Sequence, residues 1–178
     1  MPAQVKPKVT SLLSIQEITK GDEMPIGAWV APPPADVDGI GNPNFITDKY
    51  YQLAKEAGIN ILYGLYENLE RRPEDALAAM NCALRSQLRY LAFSSGIPLK
   101  KSIKEMQTEL TSFCTDHPAY LGVLAYDEPA EAEFDQLEKL ASYYQAVLPD
   151  KLFYANLLPY CAKVTQIKKH KQDESGRP

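Results

Sequence analysis

Apolar residues recur along this chain in short continuous runs, separated by longer stretches with helical spacing. The runs are Ile26 to Ala31, Ile59 to Leu65, Leu88 to Phe93, Leu121 to Tyr126 and Leu152 to Leu158. They are nearly all apolar and lack clean alternation, the pattern of strands covered on both faces. The stretches between them carry recognisable helix ends. Thr47 is a candidate N-cap and Gly58 a candidate stop, with Tyr50, Leu53, Ala54 and Ala57 forming one face between them. Pro73 opens a second helix, with Glu74 and Asp75 where the helix dipole favours negative charge. Ala76, Leu77, Met80 and Leu84 then recur at helical spacing. A third stripe runs through Ile103, Met106, Leu110, Phe113 and Cys114 until Pro118 forbids continuation. The fourth steps through Phe134, Leu137, Ala141, Tyr144 and Leu148 and ends at Pro149.

Strand and helix in strict alternation predict an α/β fold with a parallel sheet and right-handed crossovers. The strand starts at 26, 59, 88, 121 and 152 are spaced by 33, 29, 33 and 31 residues. An eight-unit barrel of about 250 residues has a similar pitch, roughly 31 per unit. A doubly wound sheet accepts the same alternation but usually carries a glycine-rich phosphate turn after its first strand. Here Pro32-Pro33-Pro34 occupies that turn and cannot offer a cradle of N–H groups. The expected architecture is therefore a partial TIM-type barrel, five of eight (β/α) units, over residues 25–159. An irregular segment, 1–24, precedes it, with a short element around Leu12 to Ile18, and a polar tail, 160–178, follows.

Composition narrows the function classes. The chain has 178 residues, 45% hydrophobic and 24% charged, as in a globular protein able to bury a core. Its net charge of −4 gives no reason to expect nucleic acid or an anionic membrane as partner. The basic run Lys168 to Lys171 lies in the polar tail and reads as a solvated terminus. No run reaches the roughly 18 apolar residues of a membrane span, and no signal peptide is visible. The expectation is a cytoplasmic protein, although a secreted one with its signal removed would read alike. Cys82, Cys114 and Cys161 are far apart and lack C-x-x-C spacing, which argues against a zinc site or a disulfide framework. No metal or cofactor is expected.

In a parallel α/β fold the site lies at the C-terminal ends of the strands. That rule selects Trp29, Asp36, Asp38, Tyr66, Glu67, Asn68, Ser94, Ser95, Asp127, Glu128, Asn156 and Tyr160. It excludes His117, which precedes the fourth strand, and His170 is in the tail. Without a histidine, a triad hydrolase or a zinc enzyme is disfavoured. Carboxylates, aromatics and amides remain, an inventory suited to carbohydrate: two carboxyl groups for glycoside cleavage, flat rings for sugar faces, amides for hydroxyls. Plainer readings stand beside these. Asp127-Glu128-Pro129 also reads as a helix start with one carboxylate as N-cap. Glu67 also reads as a solvated loop carboxylate, Trp29 as core and Ser94-Ser95 as turn chemistry.

Tyr126-Asp127-Glu128-Pro129, at the end of the fourth strand, resembles the Asn-Glu-Pro signature of the retaining TIM-barrel glycoside hydrolases. The stretches Pro25 to Trp29, Ile61 to Asn68 and Phe153 to Pro159 are similar to glycosidase-like barrel proteins of gut and environmental bacteria. The resemblance spans about Pro25 to Pro159 and implies Glu128 as general acid/base. Trp29, Tyr66, Glu67, Asp127 and Asn156 would then bind substrate. In that clan Asn stands where Asp127 does, holding the sugar 2-OH, and the nucleophile Glu comes from a seventh strand. A retaining pair sits about 5–5.5 Å apart, so weak or no activity is expected of this chain. A non-catalytic carbohydrate-binding or interaction module, and a complete small α/β domain of unrelated function, are the alternatives. The open sheet edge is expected to favour self-association.

Overall fold

A computed structural model describes residues 24–69, 71–94 and 114–157. The third predicted helix, the Leu12 to Ile18 element, Ser95, Tyr160, Cys161, His170 and the Lys168 to Lys171 run lie outside these residues, as does the side chain of Asp38. Among the described residues, five strands and three helices follow in the order β1 (Gly27–Ala28), α1 (Asp48–Glu56), β2 (Ile61–Gly64), α2 (Pro73–Arg85), β3 (Arg89–Phe93), β4 (Tyr120–Asp127), α3 (Phe134–Val147) and β5 (Leu152–Asn156). Every strand pairs parallel to its neighbour, in the order β1-β2-β3-β4-β5.

The helix ends match the residues that predicted them. Thr47 occupies the N-cap position of α1, although its side chain makes no capping hydrogen bond, and Gly58 lies just beyond the helix end, in the left-handed region that glycine tolerates (φ +84°). Pro73 opens α2, with Glu74 and Asp75 in its first turn. The expected cap from Asp127 or Glu128 is not formed. Asp127 remains in β4, and a 3-10 turn, Glu131–Glu133, leads into α3. Glu133 serves that turn instead: it accepts the Ala130 N–H at 2.7 Å and the Tyr126 hydroxyl. Its carboxylate reaches back to the N–H the turn leaves free, as in a capping box.

Strand order explains where the helices lie. Parallel neighbours are joined as a rule by right-handed crossovers, so steps always taken in one direction stack the helices on one face. Tyr51 of α1 and Ala79, Met80 and Ala83 of α2 share a core with Leu62, Tyr90, Ala92 and Tyr120 of the sheet. Leu140 and Tyr144 of α3 pack on Val123, Ala125 and Phe153. A buried hydrogen bond between the hydroxyls of Tyr120 and Tyr144, 3.0 Å long, joins the two cores into one layer. Cys82 and Cys114 are buried within it.

Among the described residues, the core of the opposite face contains no helix residue. Ile61, Leu91 and Leu121 form its core with Tyr63, Leu152 and Tyr154. Tyr63 and Tyr154 meet edge to face, with centroids 5.1 Å apart, although β3 and β4 lie between their strands. In a flat sheet three strand spacings would separate them by about 14 Å. The sheet is therefore curled into a half-barrel whose concave side is filled by these rings. Trp29, at the end of β1, extends the row against Tyr63 at 5.6 Å. Gly64 makes a complementary fit on the helix side, because a Cβ there would overlap the Tyr90 ring.

Candidate functional site

The C-terminal end of β4 is shaped by a register shift. Leu124 pairs with Tyr154, but Tyr126 pairs with Ala155 and Asp127 with Asn156. One extra residue on β4 re-aims the side chains beyond it, as bulges beside sites commonly do. Without it Asp127 would lie opposite Leu157. Tyr154 faces the concave side, so Asn156, two residues on, faces it too. Its Nδ2 donates to Asp127 Oδ1 at 2.8 Å, and its carbonyl accepts the Glu128 N–H at 2.7 Å.

Glu128 comes next with φ +53°, in the left-handed region, and its side chain is exposed. A non-glycine residue there stores about 1–3 kcal/mol of strain unless its surroundings over-determine it. The bond to the Asn156 carbonyl provides that constraint. Asp127, Glu128 and Asn156 are thus brought together: a held carboxylate, a free carboxylate on a strained backbone and an orienting amide.

The other predicted site residues are distributed differently. Trp29 packs on Tyr63 yet stays 38% exposed, outside the buried core. Tyr66 lines a separate cavity of about 270 Å³ with Val37, Asn68, Arg71, Arg72 and Phe93. Asn68 shapes its wall: Oδ1 accepts the Arg71 N–H at 2.8 Å and the carbonyl accepts the Arg72 N–H at 2.8 Å.

Glu67, expected at the pocket mouth, is fully buried. Its carboxyl is turned toward Tyr90 and Tyr51, in the core between sheet and helices. Neither oxygen closes a hydrogen bond among the described residues, and the hydroxyls of Tyr51 and Tyr90 are also unpaired. Burial pushes the Glu67 carboxyl up to about 7; Asp75 adds repulsion, while the Tyr90 hydroxyl and nearby backbone N–H groups oppose the rise. The solvated-loop reading therefore fails for Glu67. It is a buried acid on the helix side, away from the exposed Glu128.

His117 sits before β4, at the opposite end of the sheet, with Nδ1 accepting the Ala119 N–H at 3.1 Å and Nε2 beside Asn81 Oδ1 at 3.3 Å. Among the described residues no cluster of three His, Cys, Asp or Glu could hold a metal ion, and no helix is long and apolar enough to cross a membrane. Tyr63, Tyr154, Arg71 and Phe93 were absent from the candidates selected by sequence. The alternation of Ile61 with Tyr63, and of Leu152, Tyr154 and Asn156, was the available signal for the concave rings.

Two measurements test this geometry. A carboxyl that stays neutral in the folded state below about pH 7 but ionises in the unfolded chain above about 4.5 makes stability fall as pH rises through that window. The contribution is complete below the unfolded value and gone above the folded one, about 3 kcal/mol in all. Glu67→Gln is neutral at every pH. Denaturant melts at pH 4 and pH 8 should therefore show the variant equal to wild type at pH 4 and more stable at pH 8. A constant difference between the two proteins would refute the buried acid. In the second measurement, Glu128→Gly should raise the unfolding free energy by about 1 kcal/mol, because glycine accepts a positive φ. A loss of stability would show that the Glu128 side chain is held by contacts instead of strained.

No protein-family model, curated protein or solved structure matches this chain.

Proposed function

We propose that the chain is a glycoside-hydrolase-like unit, five consecutive (β/α) repeats of a TIM-type barrel, that binds carbohydrate at the C-terminal face of its sheet. Asp127-Glu128 at the end of β4, fixed by Asn156 from β5, carries this reading. A carboxylate held at a backbone position that costs stability is better accounted for by a task than by packing. The concave row Trp29, Tyr63 and Tyr154 supports it, because partly exposed rings beside polar groups suit the apolar faces and hydroxyls of a sugar.

Glu128 has the role of general acid/base. A retaining or inverting mechanism needs a second carboxyl across the scissile bond. Glu67 is sealed in the helix-side core and Asp127 is bound by Asn156. That placement favours binding with weak or no hydrolysis, so a non-catalytic carbohydrate-binding module is the second reading. The two are separated by Glu128→Gln. Glycan-array binding that survives the substitution, with aryl-glycoside hydrolysis at background in both proteins, is the expected result. Hydrolysis that disappears in the variant would establish the enzyme. An array on which wild type binds no saccharide would end the carbohydrate reading.

Self-association belongs to the same proposal. β1 and β5 each have one neighbour among the described strands. Apolar grooves flank both, one lined by Val30, Pro32, Phe45 and Tyr50, the other by Phe134, Leu137, Phe153 and Leu157. Unpaired strand edges recruit partners. Sedimentation over a hundredfold range of concentration should show a mass that rises with concentration. A concentration-independent monomer would refute it.

A further inference from the structure

The cavity beside Tyr66 is chemically unlike the rest of the C-terminal face. Among the described residues its lining includes two arginines, Arg71 and Arg72, and no carboxylate. Arg72 is committed: Nε pairs with Asp75 at 2.8 Å, and Nη2 donates to the Ala35 carbonyl at 3.0 Å, tying the loop after β1 to the loop after β2. Arg71 is exposed, and its guanidinium makes no hydrogen bond or ion pair among the described residues. Its backbone is fixed by the bond to Asn68, so the side chain is anchored at its root and free at its tip. Tyr66, 37% exposed, and Phe93 line the same cavity and supply apolar surface to it. At the other side of the face, the end of β4 carries Asp127, Glu128 and Glu131, all exposed. Among the described residues the loop after β2 therefore offers one unpaired cation, Arg71, beside the cavity, while the end of β4 gathers negative charge.

We infer that this cavity is a subsite for an anionic sugar unit, one bearing a carboxylate or a sulfate, with Arg71 meeting the charge. The inference rests on the carbohydrate reading of the face and names the class of saccharide it takes. A guanidinium presents parallel N–H donors that match a carboxylate or a sulfate two at a time. The ring of the same unit lies against Tyr66 and Phe93. A volume of about 270 Å³ falls just below the usual range of ligand pockets, about 300–1,000 Å³, and suits a single unit of a longer chain. The anionic unit thereby stays clear of Asp127 and Glu128, which would repel it.

Calorimetric titration of the full chain at low ionic strength tests this with three oligosaccharides of equal length: neutral, uronate-containing and sulfated. Inorganic sulfate serves as a fourth ligand. At least one anionic oligosaccharide should bind ten times more tightly than the neutral one, and which one does identifies the group. Arg71→Gln should abolish that preference, and Arg71→Lys should retain part of it, since the charge survives but the fork does not. Thermal midpoints equal to wild type establish that both variants fold. Equal binding of all three oligosaccharides overturns the inference and leaves the carbohydrate reading standing. A preference that persists in Arg71→Gln, or inorganic sulfate binding as tightly as the sulfated oligosaccharide, also overturns it. Binding of none removes both readings together.

Discussion

Tyr63 and Tyr154 come from strands with two others between them, and their rings nevertheless meet edge to face. Rings at that separation attract through their quadrupoles, but the contact exists only because the sheet curls. Curling is a consequence of coverage. Among the described residues the helices pack on one side of the sheet, and the other face buries its apolar residues against itself. Ile61, Leu91, Leu121 and Leu152 do this at the floor and the aromatics above them. A flat sheet with the same residues would leave that row open to water.

The curl also shapes the C-terminal face. It turns the ends of β4 and β5 toward the same space as Trp29, while the β4 bulge brings Asp127 opposite Asn156. Glu128 then leaves the strand with a left-handed backbone. Each feature depends on the one before it. The bulge sets the Asp127–Asn156 pair, that pair keeps the Asn156 carbonyl in place, and the carbonyl holds the strained peptide. Strain of this kind persists when neighbouring contacts leave the chain no alternative, and here they come from two adjacent strands instead of a loop.

Much of this order was legible in the sequence. The alternation of apolar runs and helical stripes located every described strand and helix, and Gly58, Pro73 and Pro149 marked ends that depend only on local backbone sterics. β1 is shorter than its apolar run, two residues against six, because only Gly27 and Ala28 keep strand register with β2, while Ile26 and Ala31 reach it by single hydrogen bonds. The site was less legible, for a geometric reason. Local pattern shows that a residue comes after a strand, but not which way its side chain turns. Asp127 and Asn156 came together through a register shift that no run of residues announces. The capping role expected of the Asp127-Glu128 pair went to Glu133, three residues past Ala130, where a carboxylate can reach back to the free N–H.

Tyr66 and Glu67 show the same limit on one loop. They are neighbours in sequence, yet Tyr66 lines an open cavity while Glu67 is buried among the tyrosines of the helix-side core. A carboxyl without a full set of partners in such a core is expensive to keep ionised, so the protonated form is the one the fold accommodates. Packing alone does not explain its presence, since glutamine would fill the same space without a titration. The loop that carries this acid also carries Asn68, which fixes Arg71 and Arg72. The buried acid and the cationic cavity wall therefore belong to one short segment, one side anchored in the helix-side core and the other facing solvent.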